Sequence, residues 1–169
     1  MKPKKPKDDK MKKILNFLIC VCIAAAGFCV QAAFADELED VQNFFDNYIK
    51  AANSYSKTVT DFYLPDAKII RVVVKPDGAT KSVDFPMQRY KSELKKGQPL
   101  ARLSRYKNKY TERKFEKLPD GDYKISALRT PNGDKKALPF YFIVTKTDDG
   151  WKVKEESMQT TVQKFLTSK

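Results

Sequence analysis

The groups in this chain able to move protons or attack a substrate are carboxylates, tyrosines, lysines and serines, because the sequence holds no histidine. That excludes Ser-His-Asp triads, histidine metal sites and imidazole acid–base pairs. The three cysteines, Cys20, Cys22 and Cys29, all fall within the first 35 residues. Residues 36–169 therefore offer neither a thiolate nucleophile nor a disulfide. No glycine-rich loop is present to cradle a nucleotide phosphate. The residue inventory gives no reason to expect a metal or a cofactor.

Glu155 and Glu156 follow Lys152 and Lys154 near the carboxyl end. Paired carboxylates can do acid–base work, but neighbours on a strand point to opposite faces, so cross-strand ion pairs are expected instead. Asp61 stands beside Phe62 and Tyr63. A carboxylate among rings can act as an acid or base, and the plainer reading is a solvated aspartate. Tyr106, Asn108, Tyr110 and Glu112 alternate on one face of an expected strand, as do Tyr123, Ile125 and Ala127 on the next. Tyr141 shares a face with Ile143, and Trp151 with Val153. Trp151 and Ile143 read as core.

The elements that must position these groups follow from the pattern. Leu38, Val41, Phe44, Phe45, Tyr48, Ile49 and Ala52 recur at three- and four-residue steps, which predicts an amphipathic helix over 36–52. A second, short helix is expected over 57–63, with Val59, Phe62 and Tyr63 inward and Pro65 ending it. Residues 68–75 read as a β-branched strand, Pro76-Asp77-Gly78 as a turn, and 81–85 as a second strand. A third helix is expected next, capped by Asp84, with Pro86 in its first turn, Met87, Tyr90 and Leu94 on its buried side, and Gly97 at its end. Three turn signals, Pro119-Asp120-Gly121, Thr130-Pro131-Asn132-Gly133 and Asp148-Asp149-Gly150, then divide four antiparallel strands over about 105–118, 122–130, 136–147 and 151–162.

The amino-terminal segment reads as an address rather than as structure. Residues 1–13 carry seven lysines and two aspartates, residues 14–30 are almost wholly apolar, and Ala33-Phe34-Ala35 precedes Asp36. A positive head, an apolar middle and small residues at the cleavage positions predict a signal peptide over 1–35 and a periplasmic or secreted domain over 36–169. Met11-Lys12-Lys13 would also serve as a start. The rival is a permanent anchor, since 14–35 is uncharged. On the cleavage reading, membrane contact is limited to the segment before removal. The domain then has 26 basic against 19 acidic residues, a charge of +7. Ten of the basic residues lie between Arg89 and Lys114. They read as a solvated face that discourages edge pairing, and no nucleic-acid partner is expected.

Helix, helix, hairpin, helix and a four-strand meander make an α+β domain. With the segment Phe62-Tyr63-Leu64-Pro65-Asp66-Ala67 and the last strand's opening Gly150-Trp151-Lys152-Val153, this order resembles the nuclear transport factor 2-like superfamily over residues 38–162. The resemblance implies a cystatin-like cone: three helices in the concave side of a strongly bent, mainly antiparallel sheet of about six strands. It also implies a cavity at the open end, for which Tyr63, Met87, Tyr90, Tyr106, Tyr110 and Tyr141 are the candidate lining residues. For Tyr106, Tyr110 and Tyr141, cavity wall and plain core stand as equal alternatives. The expected function is binding of a small apolar or amphiphilic molecule. The alternatives are a lyase or isomerase using Asp/Tyr chemistry, and a ligand-free accessory module or homodimer. A buried carboxylate facing tyrosines in the pocket would favour the enzyme.

Overall fold

The computed structural model describes residues 35–166. The expected signal segment, apart from Ala35, and all three cysteines lie outside the described residues. The chain divides into two units, Met1–Asp40 and Val41–Lys169. Of the first, residues 35–40 are described, and they are helical. Apart from that first turn and a half of helix, everything below concerns the second.

The first helix, α1, covers 35–53. Val41, Phe45 and Tyr48 form its buried stripe, the spacing that a 3.6-residue period requires. It closes with a Schellman motif. The Ser56 N–H donates to Ala51 O at 3.0 Å and the Tyr55 N–H to Ala52 O at 3.2 Å. Tyr55 takes the left-handed position at φ 59°. The expected second helix is a single 3-10 segment, Lys57–Phe62, capped by Ser56 Oγ.

Pro65 does not precede the first strand but lies inside it: β1 runs Tyr63–Val74. The register shifts between Tyr63 and Lys68, and such an irregularity accommodates a residue that cannot donate to the ladder. The other strands are β2, Thr80–Phe85; β3, Asn108–Lys117; β4, Tyr123–Pro131; β5, Leu138–Thr147; and β6, Gly150–Thr160. They form one six-stranded sheet in the order β2-β1-β6-β5-β4-β3. The β1–β6 pairing is parallel and the others are antiparallel. The architecture is α+β with an open mixed sheet.

The second α-helix, α2, departs from expectation at both ends. It spans Met87–Leu103 with Pro86, not Asp84, at the N-cap. Asp84 instead belongs to β2, opposite Ile70. The helix also continues through Gly97 and Pro99. Glycine ends a helix when it turns left-handed; Gly97 does not, and Arg105 does, at φ 52°. A second Schellman motif results. The Arg105 N–H donates to Arg102 O at 3.2 Å and the Tyr106 N–H to Ala101 O at 2.8 Å.

The core sits on the sheet face toward α1. Phe45, Ile69, Val73, Ile125, Phe142, Val144 and Val153 are wholly buried. Phe45 packs edge-on against Tyr110 and Phe142, a geometry aromatic quadrupoles favour. Two further strand irregularities are present. One lies in β3 between Thr111 and Lys114, where Glu112 adopts φ 51°. The other lies in β6, where Val144 pairs with Val153 but Ile143 with Glu155, so that Lys154 is an extra residue.

Candidate functional site

Among the described residues, the charged side chains of Arg71, Arg129 and Glu156 project to the core side of the sheet. Along β1, Ala67, Ile69, Arg71 and Val73 are buried in alternation. Along β4, Ile125, Ala127 and Arg129 are. In β6 strict alternation from Trp151 and Val153 would bring Glu155 inward. The extra residue Lys154 reverses the parity, as a bulge does, and Glu156 is turned in instead at 2% exposure.

These groups lie around a cavity of about 320 Å³ lined by residues from α1, α2, the 3-10 segments Lys57–Phe62 and Gln163–Leu166, and every strand. Its apolar wall includes Ala52, Val59, Phe85, Leu94, Ala101, Phe140 and Met158. Its polar lining includes Tyr48, Arg71, Tyr90, Tyr106, Asn108, Tyr110, Arg129 and Glu156.

Arg71 Nη1 is paired with Glu156 Oε1 at 2.8 Å. The opposite oxygen, Oε2, accepts from the Tyr63 hydroxyl and from the Tyr90 hydroxyl at 3.3 Å. Tyr63 OH also lies 3.1 Å from Tyr90 OH and 3.2 Å from Tyr48 OH. Burial, reinforced by the Glu156 charge, raises the pKa of Tyr63 and Tyr90, and burial above all does the same for Tyr48 and Tyr110. All four hydroxyls are held protonated. Arg71 loses by burial and gains more from Glu156 and the phenols, so its pKa is raised.

Arg129 is different. Nη1 donates to Asn108 Oδ1 at 2.7 Å and to Tyr106 OH at 3.2 Å, and Nη2 donates to Gln159 O at 3.3 Å. Its Nε has no partner, and no carboxylate of the described residues pairs with it. Asn108 is itself fixed by α1 through two bonds with Asn53, at 2.8 and 3.0 Å.

Of the six candidates read from sequence, Tyr90, Tyr106 and Tyr110 line the cavity. Tyr63 reaches it through its bond to Glu156. Met87 is buried in α2 but is not among the lining residues. Tyr141 lies on the other face of the sheet. Phe140, Phe142 and Val144 take the inward parity of β5, so Tyr141 turns away and donates to Glu155 Oε1 at 2.6 Å. Partial burial and that carboxylate push its pKa to about 12. Tyr106 precedes β3 rather than belonging to it, and the Schellman motif after α2 places its ring. Asp61 is exposed and has no place at the site. The sequence pattern marks Tyr48 only as part of the α1 stripe and does not mark Arg71, Arg129 or Tyr55, all of which line the cavity. The signal was there for the arginines: each occupies an inward parity position in a β-branched or apolar alternation.

No family model matches the chain, and no curated protein does. Solved structures do match. A protein of unknown function from Pectobacterium atrosepticum is 19% identical, with a TM-score of 0.57 over 74% of this chain and 91% of its own. An NTF2-like protein with a cystatin-like fold from Novosphingobium aromaticivorans is 9% identical, with a TM-score of 0.57 over 80% and 88%. The chain has the nuclear transport factor 2-like fold. A scytalone dehydratase-like protein from N. aromaticivorans shares it at 14% identity and a TM-score of 0.53, over 78% of this chain and 89% of its own. Within this nuclear transport factor 2-like domain, the cavity lies where α1 and α2 meet the inward face of the sheet.

Proposed function

We propose that this chain is an exported binding domain whose cavity takes one small amphiphilic molecule. On this reading the sheet bends into a cone around its helices and leaves the cavity at the open end. The observation that carries the proposal is the composition of the roughly 320 Å³ cavity: apolar walls with a few converging polar groups. That volume and lining suit a ligand site. The export part rests on the pattern of residues 1–35, and amino-terminal sequencing of the exported protein is expected to begin at Asp36. Intact Met1 or Met11 in membranes would establish an anchor instead.

Calorimetric titration with 1-octanol tests the cavity. One site per chain is expected, and it should disappear in Ala101→Trp, which fills the space between α2 and the sheet. Absence of binding to the unaltered protein would refute the reading.

A second reading has its own observation. A buried carboxylate, Glu156, does face tyrosines in the cavity, and a fold neighbour is scytalone dehydratase-like. The acid would be this glutamate rather than an aspartate, with Tyr90 as proton donor. Against it stands the occupancy of the carboxylate. Arg71 and two phenols already hold both oxygens, so a proton acceptor role requires breaking one of these bonds. Binding is therefore favoured. Turnover of a retained ligand by the wild-type chain, lost in Glu156→Gln, would reverse that preference.

A further inference from the structure

Resting on the cavity reading above, we infer that the ligand carries a carboxylate, and that Arg129 receives it. Two guanidinium groups line the cavity, and they differ in one respect. Arg71 has its counterion in Glu156 at 2.8 Å. Arg129, at 4% exposure, has neutral partners alone: a phenol, a side-chain amide and a backbone carbonyl. A guanidinium stays charged at any physiological pH, and a buried charge without a counterion is strongly unfavourable unless something supplies one.

The remaining hydrogen-bonding capacity points the same way. Of the five N–H donors of a guanidinium, three bonds use Nη1 and Nη2. The Nε–H is buried without a partner, and Nη2 keeps a second hydrogen. An Nε–H and an Nη2–H side by side on one planar group match a carboxylate. Other charges at the cavity do not answer the need. Glu156 is consumed by Arg71, Tyr63 and Tyr90. Glu93 also lines the cavity but is exposed, and no ion pair of the described residues joins it to Arg129. The apolar tail would lie along Phe140, Leu94 and Ala101.

The experiment compares octanoate, 1-octanol and octyltrimethylammonium by calorimetry on the wild-type chain and on Arg129→Met and Arg129→Lys. Octanoate is expected to bind the wild-type chain at least about tenfold more tightly than octanol, the effect of a hydrogen bond to a charged group. The cationic analogue should bind most weakly. Arg129→Met should keep octanol binding and lose the preference for octanoate. Arg129→Lys, which keeps the charge but not the planar fork, should retain part of it. Equal binding of octanoate and octanol would overturn the carboxylate assignment while leaving the cavity reading intact. Failure of all three ligands would overturn both. Should the variants not fold, the pH profile of the wild-type chain decides: octanoate affinity must fall below the acid's own pKa while octanol affinity stays level. A level octanoate profile contradicts the inference.

Discussion

Arg71 and Glu156 form an ion pair at 2.8 Å with side chains 5% and 2% exposed, reaching diagonally across the parallel β1–β6 pairing, where Ile69 and not Arg71 stands opposite Glu156. Removing one member of such a pair leaves the other buried and unpaired. Arg71→Met or Glu156→Gln alone is expected to cost about 3–5 kcal/mol in denaturant unfolding. The double variant Arg71→Met/Glu156→Leu should recover a good part of that. Recovery stays incomplete because the Tyr63 and Tyr90 hydroxyls lose their acceptor. Single variants within about 0.5 kcal/mol of wild type, the range of ordinary surface substitutions, would show that the pair is not an energetic centre.

The phenols Tyr48, Tyr63, Tyr90 and Tyr110 have folded-state pKa values raised by burial. Below about pH 10, the ordinary tyrosine value, both states keep these protons and stability does not depend on them. Above it the unfolded chain releases protons that the folded chain retains, so stability falls as pH rises. Tyrosinate absorbance from these rings is expected to appear together with loss of near-ultraviolet circular dichroism. Ionisation of all eight tyrosines near pH 10 in a still-folded protein would contradict this.

Asp122 responds in the opposite direction. Burial pushes its pKa up, but hydrogen bonds from Lys154, at 2.7 Å, and Thr145, with the Lys154 charge, bring it below the ordinary carboxylate value. The stability this adds is present above the unfolded-state pKa and is lost as pH falls through the folded one. Lys154 is 52% exposed, so solvent screens the pair and the effect is small. Asp122→Asn should flatten the acid limb of a melting-temperature profile. An unchanged limb would show that other carboxylates set it.

Two opposite substitutions, one within α2 and one just after it, should both stabilise. Gly97 is helical, and a Cβ there would meet nothing within 4 Å, so Gly97→Ala gains about 0.5–1 kcal/mol from helix propensity. Arg105 is exposed and holds the left-handed position after the helix, where glycine carries no Cβ penalty, so Arg105→Gly gains a similar amount. Chemical denaturation of each variant measures both. A loss in Gly97→Ala would mean that the helix is not continuous through Pro99.

Much of the fold could be read from the sequence because hydrophobic period and turn residues report it directly. The stripe Val41, Phe45, Tyr48 and the turns at Gly121 and Gly150, with φ of 88° and 95°, stand where the pattern puts them. What was not legible depended on backbone irregularities. The end of α2 was misplaced because Arg105, a residue that rarely turns left-handed, does so in place of Gly97. Glu156 faces the cavity because one extra residue in β6 reverses its parity, and a bulge leaves no mark in residue types. Tyr141 was grouped with the wrong face because its strand gives two apolar parities, Phe140 with Phe142 and Tyr141 with Ile143, and packing against Phe45 selects the first. Residue type alone hides Arg71 and Arg129, because an arginine in a strand is usually an exposed one.

The most direct test of the account is native mass spectrometry of the protein isolated under mild conditions from the compartment in which it works. A species heavier than the denatured protein by one small molecule is expected, with the ligand released on denaturation and recovered as an acid of apolar character. Protein found at the same mass before and after denaturation, with no ligand retained across independent preparations, would contradict the claim that its cavity is a binding site.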